Sequence, residues 1–220
     1  MADVVLLHGS WLGGWMWADV EALLTADGHT VAAPTLSSSD LDTHVREVGG
    51  LLGGAGGTVL VGHSYSGMVA TATAAAHPDL IRKVIYLDAY VPRGGQSAFD
   101  VLPSIRAAFE ASVDGDGNVQ PLPLSAFGVT DQRIAAAIES RLRPWPLVTH
   151  EQASPGLPDG VDRVFLQCAQ APFFAELANE LESQAWPVER LDLAHLCPIT
   201  HPAETAAALR PHISGWESER

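Results

Sequence analysis

The sequence predicts an α/β protein, a mainly parallel sheet flanked by helices, with a lid insertion between core strands. Three observations carry that reading. Short apolar runs alternate with stretches of helical spacing. One such run leads through a tight turn into a helix of small residues. The alternation breaks once, over 92–160, and then resumes. A length of 220 residues suits one domain with a modest insertion. The expected division is a core in two parts, 1–91 and 161–220, and a cap or lid at 92–160.

In order, residues 4–7 read as a buried strand ending in a glycine turn at His8-Gly9. Residues 17–26 carry apolar side chains at helical spacing and stop before Asp27-Gly28. A second strand spans 30–33, closed by Pro34; a helix spans 41–52, and the glycine-rich 53–57 is a linker. Residues 58–61 form a third strand, 65–76 a helix, and 83–87 a fourth strand. The irregular stretch that follows holds two helices, near 104–111 and 131–142. A strand at 163–168, a helix at 173–181, a strand at 188–193 and a last helix from Pro202 complete the core.

Composition narrows the function classes. With 17% charged and 47% apolar residues, and Gly 20 and Pro 15 spread along the chain, the protein is not disordered, collagenous or a coiled coil. A chain of this length buries roughly 70% of its unfolded surface and needs no disulfide or metal staple. Lys+Arg 12 against Asp+Glu 26 gives a formal charge of −14. That field repels phosphate backbones and anionic headgroups, so neither nucleic acid nor membrane is an expected partner. A small-molecule substrate is, and a homodimer is compatible with everything above. Two cysteines, Cys168 and Cys197, are too few for a secreted disulfide framework. No run approaches 18 apolar residues, and Met1-Ala2-Asp3 lacks a basic leader, so the expected address is cytoplasmic.

The chemistry concentrates in Thr58-Val59-Leu60-Val61-Gly62-His63-Ser64-Tyr65-Ser66-Gly67. A strand, a tight turn bearing a serine and a helix are the context of a nucleophile elbow, Gly-x-Ser-x-Gly. The positions two before and two after the serine must be small; Gly62 and Ser66 occupy them. Ser64 is the candidate nucleophile. A serine needs a general base, and acyl transfer needs donors for the oxyanion. His8-Gly9-Ser10-Trp11 closes the first strand at the same sheet edge, so the main-chain N–H groups of Ser10 and Tyr65 are the candidate oxyanion hole. Of nine histidines, His195 lies after the last strand, where chain order puts the base. His201 sits at a helix start with Thr200 as its N-cap, His150 falls in the insertion, and His63 reads as a packing residue. Trp11, Trp145 and Phe127 are the candidate substrate contacts.

Other motifs carry no chemistry. Asp114-Gly115-Asp116-Gly117-Asn118 imitates a calcium loop, but Val119 and Ser125 stand where glycine and glutamate belong, so a turn or hairpin is expected. No Cys/His spacing suggests zinc, and neither metal nor cofactor is expected.

The whole chain resembles an α/β-hydrolase, and most of all the branch of plant methyl esterases, hydroxynitrile lyases and their bacterial esterase relatives. The residues that carry the likeness are His8-Gly9-Ser10-Trp11-Leu12-Gly13-Gly14-Trp15, the elbow, Tyr86-Leu87-Asp88-Ala89-Tyr90-Val91-Pro92, and the stretch from His195 to His201-Pro202-Ala203-Glu204. Hydroxynitrile lyases of that branch carry a threonine after the first histidine and a lysine after the catalytic one. Gly9 and Leu196 stand there, so ester hydrolysis fits better than cyanide chemistry. The resemblance implies cleavage of a small, apolar or aromatic carboxylic ester through an acyl-enzyme, natural-product intermediates included. Relatives also place the acid of the triad just after the strand that follows the insertion, and there this chain has Ala171. Three residues compete for the role: Asp88 at the end of the neighbouring strand, Gln170 as a neutral acceptor, and Glu176 further along. A Ser–His dyad is the remaining arrangement. Two alternatives keep the fold, namely a non-hydrolytic enzyme that uses Ser64 and His195 for proton transfer, elimination or cyclisation, and a non-catalytic binder.

Overall fold

The computed structural model describes residues 2–53 and 57–214; the middle of the glycine linker, 54–56, lies outside the described residues. Strands β1 (Asp3–Leu7), β2 (Thr30–Ala32), β3 (Thr58–His63) and β4 (Ile81–Leu87) come first. A short antiparallel pair follows, β5 (Asn118–Val119) and β6 (Trp145–Pro146), and then β7 (Asp162–Cys168) and β8 (Val188–Leu191). The six longer strands make one parallel sheet in the order β2-β1-β3-β4-β7-β8. From β1 the chain goes outward to β2 on one side and returns to β3 on the other. Such a reversal opens a crevice at the carboxyl ends of β1 and β3, the usual ligand position in an open α/β sheet.

The helices are α1 (Ala18–Ala26), α2 (Leu41–Gly49), α3 (Ser66–Ala76), α4 (Ala98–Val101), α5 (Arg106–Ala111), α6 (Gln132–Glu139), α7 (Val148–Glu151), α8 (Ala175–Ser183), α9 (Cys197–Thr200) and α10 (Pro202–Ser214). Strand alternation divides the core into two layers. Val4, Leu6, Val59, Val61, Ile85 and Leu87 pack with Val20 and Leu24 of α1 and Leu209 and Ile213 of α10. Val5, Leu7, Leu60, Val84 and Tyr86 face the other way, onto Val48 of α2, Met68 and Val69 of α3, and Leu181 of α8. From Ser66 to Ala74 every residue of α3 is buried, which is why its sequence is small and apolar all round.

Between β4 and β7 the chain lies across the carboxyl edge of the sheet. The Trp11 indole N–H donates to the Val119 carbonyl at 2.9 Å, and the Arg143 amide donates to the Trp11 carbonyl at 3.0 Å. Helices α4 and α7 escape a periodicity reading because each is a single turn. The Ser97–Asp100 capping box starts α4. Two expected helices are shorter and begin irregularly. Pro103–Ile105 is a 3-10 turn ahead of α5, and α6 starts where Asp131 Oδ1 accepts the amides of Arg133 and Ile134. Thr200 is not the cap of α10; it closes α9, its hydroxyl donating to the Leu196 carbonyl at 3.2 Å. Asp114 Oδ1 accepts the amides of Asp116 and Asn118, closing a hairpin turn with no metal needed.

The turn from β3 into α3 is held by close backbone approach. A Cβ on Gly62 would stand 2.5 Å from the Ser66 carbonyl oxygen, and one on Gly67 would fall inside contact distance of the Tyr90 carbonyl oxygen. Ser66, where the elbow pattern has glycine, fits because its hydroxyl turns away and donates to the His8 carbonyl. Gly67→Ala should therefore cost about 3 kcal/mol or more of folding stability, since a rigid carbonyl must move. Urea unfolding checks this, with Ala70→Gly in the same helix as a milder comparison of about 1 kcal/mol.

Candidate active site

Ser64 sits at the tip of that turn with φ 54°, a left-handed conformation that costs a non-glycine residue about 1–3 kcal/mol. Neighbouring loops hold it there. Its amide donates to the Leu87 carbonyl at 3.4 Å, and its carbonyl accepts the Tyr90 amide at 3.1 Å. The Ser64 turn and the segment after β4 are thus bonded directly to each other.

Asp88 belongs to that segment. It too has positive φ, 45°, which aspartate tolerates better than most residues. Its amide donates to the Leu166 carbonyl at 2.8 Å. Its carboxylate is fully buried; Oδ1 accepts the Cys168 amide at 3.1 Å, and Oδ2 lies 2.6 Å from His195 Nδ1. A carboxylate accepts only, so Nδ1 carries the proton of that bond and Nε2 is the free ring nitrogen. The other two residues that sequence offers as the acid stand elsewhere. The Gln170 amide donates to the Asp192 carbonyl and carboxylate at 3.1 and 3.0 Å, and Glu176 is exposed on α8. Ala171, where the family resemblance leads one to expect the acid, is buried.

His195 follows β8 in a loop secured from the elbow itself. His63 Nε2 donates to the His195 carbonyl at 2.8 Å, and the two rings lie 4.5 Å apart. His63 is therefore more than packing: it fixes the backbone of the neighbouring imidazole. Burial, and then the nearby His195, push His63 well below the ordinary histidine pKa. Three aromatic rings surround His195, with Phe127 at 5.5 Å, Phe173 at 5.6 Å and Phe174 at 6.2 Å.

Among the described residues, neither the Ser10 nor the Tyr65 main-chain N–H has a protein acceptor. The two open donors flank Ser64, one from the β1 end and one from the first residue after it. Trp11, at φ 64°, turns the chain sharply after Ser10.

Two small cavities meet at Ser64 and His195. One, of about 20 Å³, is lined by Leu12, His63, Leu124, Leu142 and Leu196 among others. The second, of about 60 Å³, runs past Tyr90, Leu102, Ile105, Phe109, His150 and Phe174. Ser10, Trp11 and Phe127 border both. Trp145 corrects the sequence expectation: it lines neither cavity but packs behind them, stacked on His44 at 5.4 Å and edge-on to Tyr65 and His8, both at 5.7 Å. The short β5–β6 pairing turns it inward, away from the cavity.

Tyr90 and His150 are cavity residues that sequence reasoning passed over. Tyr90 had a signal, since it stands at a strand's carboxyl end inside the Asp88-Ala89-Tyr90 segment. His150 had none, because its partner Ser10 is 140 residues away in the chain. No group of metal-ligating side chains occurs among the described residues, and no helix there is long and apolar enough to cross a membrane.

Comparison with known proteins agrees with this fold. The model of the alpha/beta hydrolase family matches residues 4–208. A carbendazim hydrolyzing esterase from Nocardioides sp. is 38% identical over 176 residues, 69% of this chain and 72% of that protein. Methylesterase 8 of Arabidopsis thaliana is 28% identical over 144 residues, 59% of this chain and 53% of its own length. In fold, the chain matches an extracellular alpha/beta-hydrolase from a Paenibacillus species with a TM-score of 0.81 at 21% identity, covering 97% of this chain and 99% of that one. The protein belongs to the alpha/beta hydrolase family, in the branch of the methylesterases and their bacterial esterase relatives.

Proposed function

We propose that the protein hydrolyses a small, uncharged, largely apolar or aromatic carboxylic ester, with Ser64 as nucleophile, His195 as general base and Asp88 as the acid of the triad. The observation that carries this is the buried 2.6 Å bond from Asp88 to His195 Nδ1, beside a cavity that both His195 and the strained Ser64 line. Asp88 holds the imidazole in the tautomer whose Nε2 can accept a proton, and it stabilises the imidazolium that forms.

Ser64 Oγ attacks the ester carbonyl while its proton passes to His195 Nε2. The carbonyl oxygen becomes anionic and takes the open N–H groups of Ser10 and Tyr65, donors fixed before charge develops. As the tetrahedral adduct collapses, the C–O bond to the alcohol breaks and Nε2 returns the proton to the departing alkoxide. Water then enters, gives a proton to Nε2 and attacks the acyl-enzyme; collapse releases the acid and restores Ser64. Among the described residues, no lysine, arginine, aspartate or glutamate lines either cavity, which favours an uncharged substrate. The nearby relatives named for ester cleavage support short alkyl esters, and two unpaired thiols, Cys168 and Cys197, suit a cytoplasmic address.

A fluorophosphonate should label the wild type at Ser64, and Ser64→Ala should abolish both labelling and turnover of 4-nitrophenyl acetate. Asp88→Asn should lower kcat about 10⁴-fold, since the imidazole loses its tautomer. Gln170→Ala and Glu176→Ala should leave kcat within threefold. An Asp88→Asn enzyme with near-normal kcat would reduce the machinery to a Ser–His dyad.

Burial keeps four other histidines neutral. Burial lowers His8 to about 4 and His150 to about 3, and lowers His44 and His63 as well. Unfolding returns each to the ordinary value near 6.5, so the unfolded chain binds more protons in between. Their stabilising contribution is complete above about pH 6.5 and is lost as pH falls from there towards 4, at about 1.4 kcal/mol per pH unit for each proton taken up. Urea midpoints should fall steeply from pH 7 to pH 5, and His150→Gln should make that slope shallower by about one proton. A level stability across that range would contradict the neutral, buried assignment.

A further inference from the structure

The larger cavity is apolar over most of its wall, but besides Ser64 and His195 three residues with polar side chains line it: Tyr90, His150 and Ser10. Catalysis uses none of these side chains. Their protonation can be read from their partners. The Thr149 hydroxyl donates to the Pro146 carbonyl at 2.7 Å, so it offers His150 Nδ1, 2.9 Å away, a lone pair. Nδ1 therefore carries the ring proton and Nε2 is bare. Nε2 accepts from the Ser10 hydroxyl at 3.4 Å, at the weak end of the hydrogen-bond range. A better placed donor could displace that contact. Tyr90 is 3% exposed, and among the described residues its hydroxyl has no hydrogen-bond partner. The rings of His150 and Tyr90 meet edge to face at 5.9 Å, and Phe109 closes on His150 at 4.7 Å.

We propose that this cavity selects an acyl group bearing a neutral hydrogen-bonding substituent, a hydroxyl or amide on a single ring or short chain, with Tyr90 as donor to it and His150 Nε2 as acceptor from it. The inference rests on the esterase reading for its word acyl, and on the cavity alone for its chemistry. Both cavities border His195, so the leaving alcohol can reach it from either; the smaller, about 20 Å³ against about 60 Å³, suits a short alkyl alcohol, which leaves the larger to the acid portion. A volume of about 60 Å³ holds about four to six waters at 10–15 Å³ each, which limits the group to one ring. Burial keeps His150 neutral and the Tyr90 phenol protonated at neutral pH. The pair thus offers a donor and an acceptor but no charge. A hydrocarbon would leave the buried phenol unpaired, and a carboxylate would lose its hydration with no cation to meet it. Polar recognition of this kind discriminates more sharply than an apolar pocket, which separates analogues by a methylene's worth of contact.

The test compares methyl benzoate, methyl 4-hydroxybenzoate and monomethyl terephthalate at pH 7. In the wild type, kcat/KM for the hydroxy ester should exceed that for the parent by about tenfold or more, chiefly through KM, and the terephthalate should be poorest. The ratio of hydroxy ester to parent should fall towards one in Tyr90→Phe, which removes a single oxygen and keeps the ring, and in His150→Phe. A wild-type ratio near one, a ratio unchanged in both variants, or a preference for the terephthalate would overturn the proposal. Acetophenone and 4′-hydroxyacetophenone, which have no ester bond, give the same comparison by calorimetry. If Ser64 proves unreactive, the esterase reading falls while the Kd ratio of these ketones, and its loss in Tyr90→Phe, still decides the polar cavity.

Discussion

Everything catalytic in this chain depends on how tightly three loops meet at the carboxyl ends of β1, β3 and β4. The Ser66 hydroxyl reaches the His8 carbonyl, the Tyr90 amide reaches the Ser64 carbonyl, and Gly67 leaves no room for a side chain against the Tyr90 carbonyl. These contacts force positive φ on Ser64 and press the elbow against the loop that carries Asp88. Strain of this kind persists only where the surroundings over-determine it. Here the determinants are main-chain carbonyls backed by parallel strands, so the placement of Ser64 follows from sheet geometry rather than from its own side-chain contacts.

The same constraint accounts for where Asp88 stands. β4 and β7 are neighbours in the sheet, so a carboxylate at the end of either can reach the imidazole that follows β8. Asp88 uses the first of these routes and still draws on the second strand, through the Cys168 amide on Oδ1 and the Leu166 carbonyl on its own amide. Ala171 can then be small and buried at no cost to the imidazole. The Cys168 amide, donating to Asp88 Oδ1, keeps the end of β7 coupled to the loop after β4.

Much of this was legible in the residues. The six long strands and the elbow follow from apolar runs, glycine turns and a buried small-residue helix, because those patterns are local. The acid stayed open among Asp88, Gln170 and Glu176, because the choice depends on strand adjacency that a linear reading does not contain; in space Gln170 is engaged with Asp192 instead. The stretch between β4 and β7 was the least legible. Its helices run one or two turns, held by caps and by contacts such as Trp11 to Val119, which join residues 108 apart. Trp145 shows the cost of reading aromatic residues as pocket lining. An indole in a two-residue strand goes where the pairing points it, and that is towards His44.

His63 shows how second-rank residues become visible once the fold is known. In sequence it is the residue before Ser64, with nothing to mark it. In the fold its Nε2–H holds the His195 carbonyl, while burial keeps the ring uncharged. Both properties serve one end. A charged ring 4.5 Å from His195 would oppose any positive charge on that imidazole, and a ring without that hydrogen bond would release the loop that carries it. A buried neutral imidazole meets both conditions, and the fold accepts the loss of stability in acid that comes with it.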